Sequence, residues 1–250
     1  MTKLFNDHFS RHAAEYRSYR PGYPVSLFAF LAATAPSTAQ AWDCATGAGQ
    51  AAEGVAQFFT DVIATDASSQ QVENAVPQQN ITYRVARAED SGLEPCSVDL
   101  VTVAQAVHWF DMPDFYSEVQ RVLCPGGVLA LWTYKLFSIN PEIDSIVNEL
   151  YYNVLGDYWP CERKMVDDGY ANLEFPFDEI SAPLFQMSAC WNLPQLLGYL
   201  GTWSALNRYC EDRQHNPLVE FSGRLTAAWG EPVNSLPVRW PMNIRVGRLS

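Results

Sequence analysis

The chain has 250 residues, 48% of them apolar, which suits one ordinary domain with a lid and excludes a disordered polypeptide. Twenty-eight acids against sixteen bases leave a net charge of −12, and only three of the bases are lysines. Duplex nucleic acid and anionic membrane surfaces, which both need a basic face, are therefore not expected partners.

The six cysteines form no CxxC pair and no Cys/His ligand spacing, so no metal is expected; they read as free, mostly buried thiols of a reducing cytoplasm. The segment from Met1 to His8 lacks the apolar core of a signal peptide. The longest apolar run, Leu27 to Ala35, is too short to span a bilayer and ends at Pro36. A cytoplasmic protein is the expectation, monomeric or homodimeric.

In chain order, residues 1–24 are polar and aromatic, and a helix over about 25–35 precedes a first strand at 40–44. Helix 50–59 leads to strand 62–66, and strand 81–85 follows. Residues 97–104 carry the nearly continuous apolar run of a buried parallel strand. Helix 114–123 stops at Pro125-Gly126-Gly127, before strand 128–132. This alternation predicts a doubly wound, mostly parallel, Rossmann-like α/β sheet with helices on both faces. After Pro141 the alternation breaks. Residues 141–215, rich in aromatics, read as a helical lid or substrate region with a strand at 180–191 and a helix at 193–209. A last helix at 217–229 and a strand at 238–249 complete the sheet at its edge. The expected organisation is thus a core over 1–140, a lid over 141–215 and a returning segment over 216–250.

Chemistry is concentrated at Trp42-Asp43-Cys44-Ala45-Thr46-Gly47-Ala48-Gly49-Gln50 and Val62-Ile63-Ala64-Thr65-Asp66. This is a strand, a glycine turn, a helix and a second strand ending in an acid. Glycines let the backbone approach a ligand closely, and a carboxylate ending the next strand is placed to accept the hydroxyls of a ribose. Gly47 to Ala52 fits GxGxxA with Asp66 about twenty residues on, so a nicotinamide dinucleotide is formally allowed. Against it, Asp43 would face a pyrophosphate across the turn; the same carboxylate suits a ligand bearing an ammonium or sulfonium charge.

Asp43-Cys-Ala-Thr-Gly47-Ala-Gly49 resembles the DxGxGxG signature of class I S-adenosylmethionine-dependent methyltransferases. The resemblance continues through Asp66, Arg87-Ala88-Glu89-Asp90, the Val98–Phe110 run, and Glu118-Val-Gln-Arg-Val-Leu-Cys-Pro-Gly-Gly127. Tyr19-Arg20-Pro21-Gly22-Tyr23-Pro24, Gln105-Ala-Val-His108-Trp109-Phe110, Gly198–Ala205 and Val238–Arg248 narrow it to the type 11 group, similar to trans-aconitate methyltransferases. The family implies a seven-stranded sheet with an antiparallel last strand, S-adenosylmethionine as cofactor, and a small-molecule acceptor with carboxylic acids first among the candidates. A methyltransferase-like protein that binds cofactor without turnover is the alternative, and a nicotinamide-dependent oxidoreductase a more distant one.

The resemblance implies cofactor contacts at Asp43, Ala45, Gly47, Gly49, Asp66 with Ala67, and Gln105. Tyr16 and Arg20 would close over the methionine end. Ala45 stands where the family has its first glycine, which would hold the loop slightly farther from the ligand. Arg87 stands where an acid is common, shifting the adenine contact to the Ala88 backbone with Glu89 or Asp90. His108 follows the fourth strand by a few residues and is the candidate general base or orienting donor, needed only for a hydroxyl or amine acceptor. Trp109, Tyr134, Tyr199 and Trp203 are the candidate acceptor contacts, with Trp132 a further aromatic wall. Tyr199 and Trp203 would share one helical face, and Arg208 and Arg213 are the cations considered for an acidic acceptor.

Overall fold

The computed structural model describes residues 21–249. Tyr16 and Arg20 lie outside the described residues. Helix α1 (Val25–Thr34) leads into β1 (Gln40–Cys44), then α2 (Gln50–Val55), β2 (Asp61–Asp66), α3 (Ser69–Glu73) and β3 (Ile81–Val85). Strand β4 (Val98–Ala104), α4 (Met112–Val122) and β5 (Leu123–Tyr134) continue the alternation. Beyond it come α5 (Pro141–Asn148), α6 (Arg163–Asp167), β6 (Asp178–Ile180), β7 (Gln186–Trp191), α7 (Leu193–Gly201), α8 (Ser204–Arg213), α9 (Leu218–Trp229) and β8 (Leu236–Arg248).

The strands form one sheet in the order β3-β2-β1-β4-β5-β8-β6, with β7 also paired to β8. Strands β1 to β5 are parallel, and β8 returns antiparallel to β5, with Val128 opposite Arg248 and Tyr134 opposite Met242. The order in which strands are added reverses between β1 and β4, which places the carboxyl ends of these two strands at the switch point where open α/β sheets bind ligands. Six of the seven residues of β4 are buried, as both faces of a central parallel strand must be.

One face of the sheet packs Leu27, Phe28 and Leu31 of α1 with the apolar residues of α5, α7 and α9. The other packs Phe115, Val119 and Val122 of α4 with Val166, Tyr170 and Phe177. Consecutive residues of β5 alternate between them: Trp132 and Tyr134 face the α1 layer, Leu129 and Leu131 the α4 layer. Helix α2 approaches α1 so closely that a Cβ at Gly54 would lie 2.0 Å from the Phe28 ring.

Among the described residues the sheet has eight strands where seven were expected. The strand read at 180–191 is two, β6 and β7, broken across Ser181–Phe185 where Pro183 removes a backbone donor. Consequently β8 lies between β5 and β6 and is not the edge. The helix read over 193–209 is also two, with the turn at Thr202, whose hydroxyl donates to Tyr199 O at 2.7 Å. The helix expected over 50–59 ends at Val55, and the turn that follows drops Phe59 into the core. The Pro125-Gly126-Gly127 run bulges within β5: Leu123 pairs with Val98, and pairing resumes with Val128 opposite Leu100. The cysteines are free, but only Cys44 is buried; the expectation of mostly buried thiols fails because the others sit on turns, edges and a surface helix. Among the described residues, no helix is long and apolar enough to cross a membrane, and no group of three His, Cys, Asp or Glu side chains is placed to hold a metal.

Candidate functional site

Three of the five residues after β1 take left-handed backbone angles: Ala45 at φ 53°, Gly47 at 57° and Gly49 at 91°. Ala45 thus adopts the conformation its glycine counterpart would, at the cost an L-residue carries there. The turn is braced from β2. Thr46 N donates to Thr65 O at 2.9 Å, and Gly47 N to Asp66 Oδ2 at 2.9 Å. Asp66 Oδ1 accepts from Ser68 N at 2.9 Å. Each carboxylate oxygen has two acceptor sites, so these bonds are compatible with ribose hydroxyls on the same acid.

The two glycines serve different ends. A Cβ at Gly47 would meet nothing nearer than Gln71 Oε1 at 4.0 Å, so the turn is open there. A Cβ at Gly49 would lie 2.3 Å from Tyr83 Oη, so that glycine makes room for a side chain of the same protein. Sequence reading missed Tyr83, because only the register of β3 beside β2 carries it to the turn.

Beneath the turn Asp43 is fully buried and accepts from Thr46 Oγ1 at 2.5 Å and Thr102 Oγ1 at 2.7 Å. Burial, with the Asp66 charge adding, pushes its carboxyl up to about 6 against the opposing hydrogen bonds from Thr46, Thr102 and the Ala52 backbone. A buried carboxylate below an open glycine face and a second acid at its side fit a ligand that combines a cationic centre with a ribose.

Ala67 is half-buried beside Asp66, and Ala88 is buried. Glu89 Oε2 pairs with Arg87 Nε at 3.2 Å, and Oε1 accepts from Asp111 N at 3.1 Å, at the start of α4. Asp90 is exposed, and its backbone N donates to Arg87 O. The Arg87–Asp90 turn is thereby tied to α4.

At the carboxyl ends of β4 and β5, Gln105 takes φ 56° and spends its amide on β5. Its Nε2 donates to Tyr134 O at 3.3 Å, and its Oε1 accepts from Thr133 Oγ1 at 2.6 Å. Thr133 also hydrogen-bonds Tyr170, whose hydroxyl lies 3.1 Å from His108 Nδ1. The short 3-10 turn Val107–Trp109 presents His108 against Trp109, ring centroids 4.9 Å apart. Burial is the largest cause lowering the His108 pKa to about 4, and the Arg163 charge lowers it further against Glu162. His108 is therefore neutral at pH 7.

Arg163 stacks on Tyr151 and Trp159, its guanidinium carbon 5.5 and 5.0 Å from their centroids. Trp203 packs edge-on to Tyr151 and Trp159, and its ring is 6.1 Å from that of Tyr199. Of the cations considered from sequence, Arg208 Nη1 donates to Tyr158 O, while Arg213 is exposed and bonded to Tyr158 Oη and Asp212. Among the described residues the cation acting on His108 is Arg163, which sequence reading passed over. Tyr199 also contacts Phe137, Trp191 and Trp240, so much of its ring is core. Tyr134 and Trp132 face the α1 layer, where Trp132 packs against Tyr23 and Phe28.

Comparison with known proteins adds the lineage. A methyltransferase-domain family model matches residues 42–131, from β1 through most of β5. A protein of Dictyostelium discoideum named as a methyltransferase is 34% identical over 229 residues, covering 90% of this chain and 87% of that one. A protein of Saccharomyces cerevisiae named as an S-adenosylmethionine-dependent methyltransferase is 32% identical, with 86% of each covered. A solved structure from Anaeromyxobacter dehalogenans, titled a type II methyltransferase, superposes with a TM-score of 0.88 at 45% identity, covering 92% of this chain and 97% of that one. The nicotinamide reading of the glycine turn is set aside. With its parallel sheet, reversed last strand and acid-flanked turn, the chain belongs to the class I S-adenosylmethionine-dependent methyltransferases, and S-adenosylmethionine is its cofactor.

Proposed function

We propose that the protein methylates a small molecule, a carboxylic acid being the first class to test, seated between the ends of β4 and β5 and a lid formed by residues 141–215. The observation that carries this reading is the hydrogen-bond chain Gln105–Thr133–Tyr170–His108. Bound S-adenosylmethionine supplies an electrophilic methyl group on a sulfonium. Asp43 and Asp66 provide the negative field and the ribose acceptor, with Gly47 and Ala45 shaping the turn and Ala67, Ala88, Glu89 and Asp90 bordering the nucleoside. The Gln105 amide is spent on β5, so its backbone carbonyl is the group left for the methionine ammonium.

The chain has a direction. Gln105 Nε2 donates to a carbonyl, which turns Oε1, a pure acceptor, toward Thr133. The single Thr133 proton is spent there, so Tyr170 donates to Thr133 and His108 Nδ1 donates to Tyr170. His108 then holds its lone pair on Nε2, the arrangement a general base requires. A base with a pKa of about 4 suffices for a hydroxyl acceptor, because that proton becomes strongly acidic as the oxygen–carbon bond forms. A carboxylate nucleophile needs only alignment.

The test is production of S-adenosylhomocysteine from a panel of small acids, with and without hydroxyl or amine groups. His108→Ala should slow hydroxyl or amine methylation by about 100-fold or more and leave carboxylate methylation within a few-fold. Cofactor binding with no turnover on any acceptor would instead favour a cofactor-binding protein without catalysis.

A further inference from the structure

Resting on that assignment of the acceptor side, we infer that Arg163 is the specificity-determining anchor for a carboxylate of the acceptor that is not itself the methylated group. Among the described residues the guanidinium bonds through Nε alone, donating to Tyr151 Oη at 2.7 Å and to Asp167 Oδ1 at 3.3 Å. Among the described residues neither terminal nitrogen has a hydrogen-bond partner, although the side chain is only 25% exposed. A largely buried arginine with its two terminal nitrogens unspent presents the planar fork that pairs with a carboxylate through two parallel bonds.

The surroundings favour this use. Tyr151 and Trp159 stack on the guanidinium and fix its plane. Tyr151, Trp159 and Trp203 form a mutually packed aromatic cluster, of which Trp159 is the half-buried member. A flat apolar body carrying one negative charge matches that lining. The acids nearby are Asp167, held on the Nε side, and Glu162, which acts on His108. They leave room for a single negative charge at the fork and disfavour a second one.

The division of labour follows from the chemistry. Two charge-assisted hydrogen bonds from a guanidinium draw charge from the carboxylate that accepts them and make it a poorer nucleophile. A neutral His108 would also have no task if the anchored carboxylate were the nucleophile. The methylated atom is therefore a second group of the acceptor, carried to His108 while Arg163 holds the charged end.

The experiment compares phenylacetate with its uncharged isostere phenylacetamide, by calorimetric titration into the full chain saturated with S-adenosylhomocysteine. Phenylacetate should bind at least tenfold more tightly than the amide. Arg163→Gln should abolish the preference, Arg163→Lys should keep part of it, and both should bind S-adenosylhomocysteine as the parent does. Equal affinities, no detectable phenylacetate binding, or a preference that survives in Arg163→Gln would overturn the inference. Should Arg163→Gln fail to fold, the probe pair on the parent chain and Arg163→Lys decides alone. Loss of S-adenosylhomocysteine binding by the parent would instead strike the cofactor-site assignment, a separate failure.

Discussion

Asp43→Asn separates what a buried carboxylate costs the fold from what it contributes to the ligand. In the folded chain its pKa is raised, mainly by burial, from 3.8 to about 6. Between those values the folded protein holds a proton that the unfolded chain has released. Stability therefore falls as pH rises through this window and remains lower above it. The interval amounts to about 3 kcal/mol at about 1.4 kcal/mol per pH unit. Asparagine keeps the shape, and the Thr46 and Thr102 hydroxyl oxygens can accept from its amide, so the ionisation cost disappears while the bonds are largely kept. Reorienting the hydroxyls costs about 1 kcal/mol. The variant should be more stable than the parent by about 1–2 kcal/mol at pH 7, an advantage that vanishes or reverses below about pH 4. The lost charge should weaken S-adenosylmethionine binding by roughly tenfold, about 1.4 kcal/mol. Urea unfolding of both proteins from pH 4 to 8, paired with calorimetric titration of the cofactor, reads both effects. A variant less stable than the parent at pH 7, or one with the parent's pH slope between 4 and 6, would refute the reasoning.

The His108 ring should titrate near pH 4 when followed by proton NMR. Arg163→Gln should move that midpoint upward but short of 6.5, because burial is the larger cause; a midpoint already near 6.5 in the parent would contradict the site geometry. Gly49→Ala should destabilise by about 2 kcal/mol or more, since the new Cβ meets Tyr83 Oη at 2.3 Å on a backbone at φ 91°. Restored stability in Gly49→Ala/Tyr83→Phe would show the hydroxyl to be the obstacle, and an unchanged urea midpoint in the single variant would refute the clash. Burial alone would raise the Glu118 pKa, but bonds from Arg121 and Ser91 hold it at about 2. That stability is complete above 4.5 and lost as pH falls toward 2, so Glu118→Gln should cost roughly 2–3 kcal/mol at neutral pH and flatten acid unfolding, as read by urea titration at pH 3 and 7.

The core sheet was legible because its signals are local. Buried parallel strands read as continuous apolar runs, and Val98–Ala104 is buried along nearly its whole length. The cofactor half shares that advantage: Asp43, Gly47 and Asp66 lie within 24 residues, and one βαβ unit brings them together. The elements that were misjudged are those where one residue outweighs a pattern, as Pro183 does in splitting a strand and the Thr202 turn in splitting a helix.

The acceptor side was illegible for a different reason. His108 meets Tyr170 across 62 residues, and Arg163 is framed by Tyr151, Trp159 and, beyond them, Trp203. In the sequence Arg163 sits among Glu162, Lys164, Asp167 and Asp168, where it reads as one solvated charge in a mixed run. What distinguishes it is which of its nitrogens are used, and that depends on where an aromatic cluster closes. The same holds for His108, whose role turns on the side of the ring that faces Tyr170. Residue type sets the chemistry such groups can perform; only their hydrogen-bond partners decide which part of that capacity remains for a ligand. On that criterion Gln105, a plausible ligand contact by type, has its side chain spent on the protein, whereas Arg163 keeps both terminal nitrogens clear of the described residues.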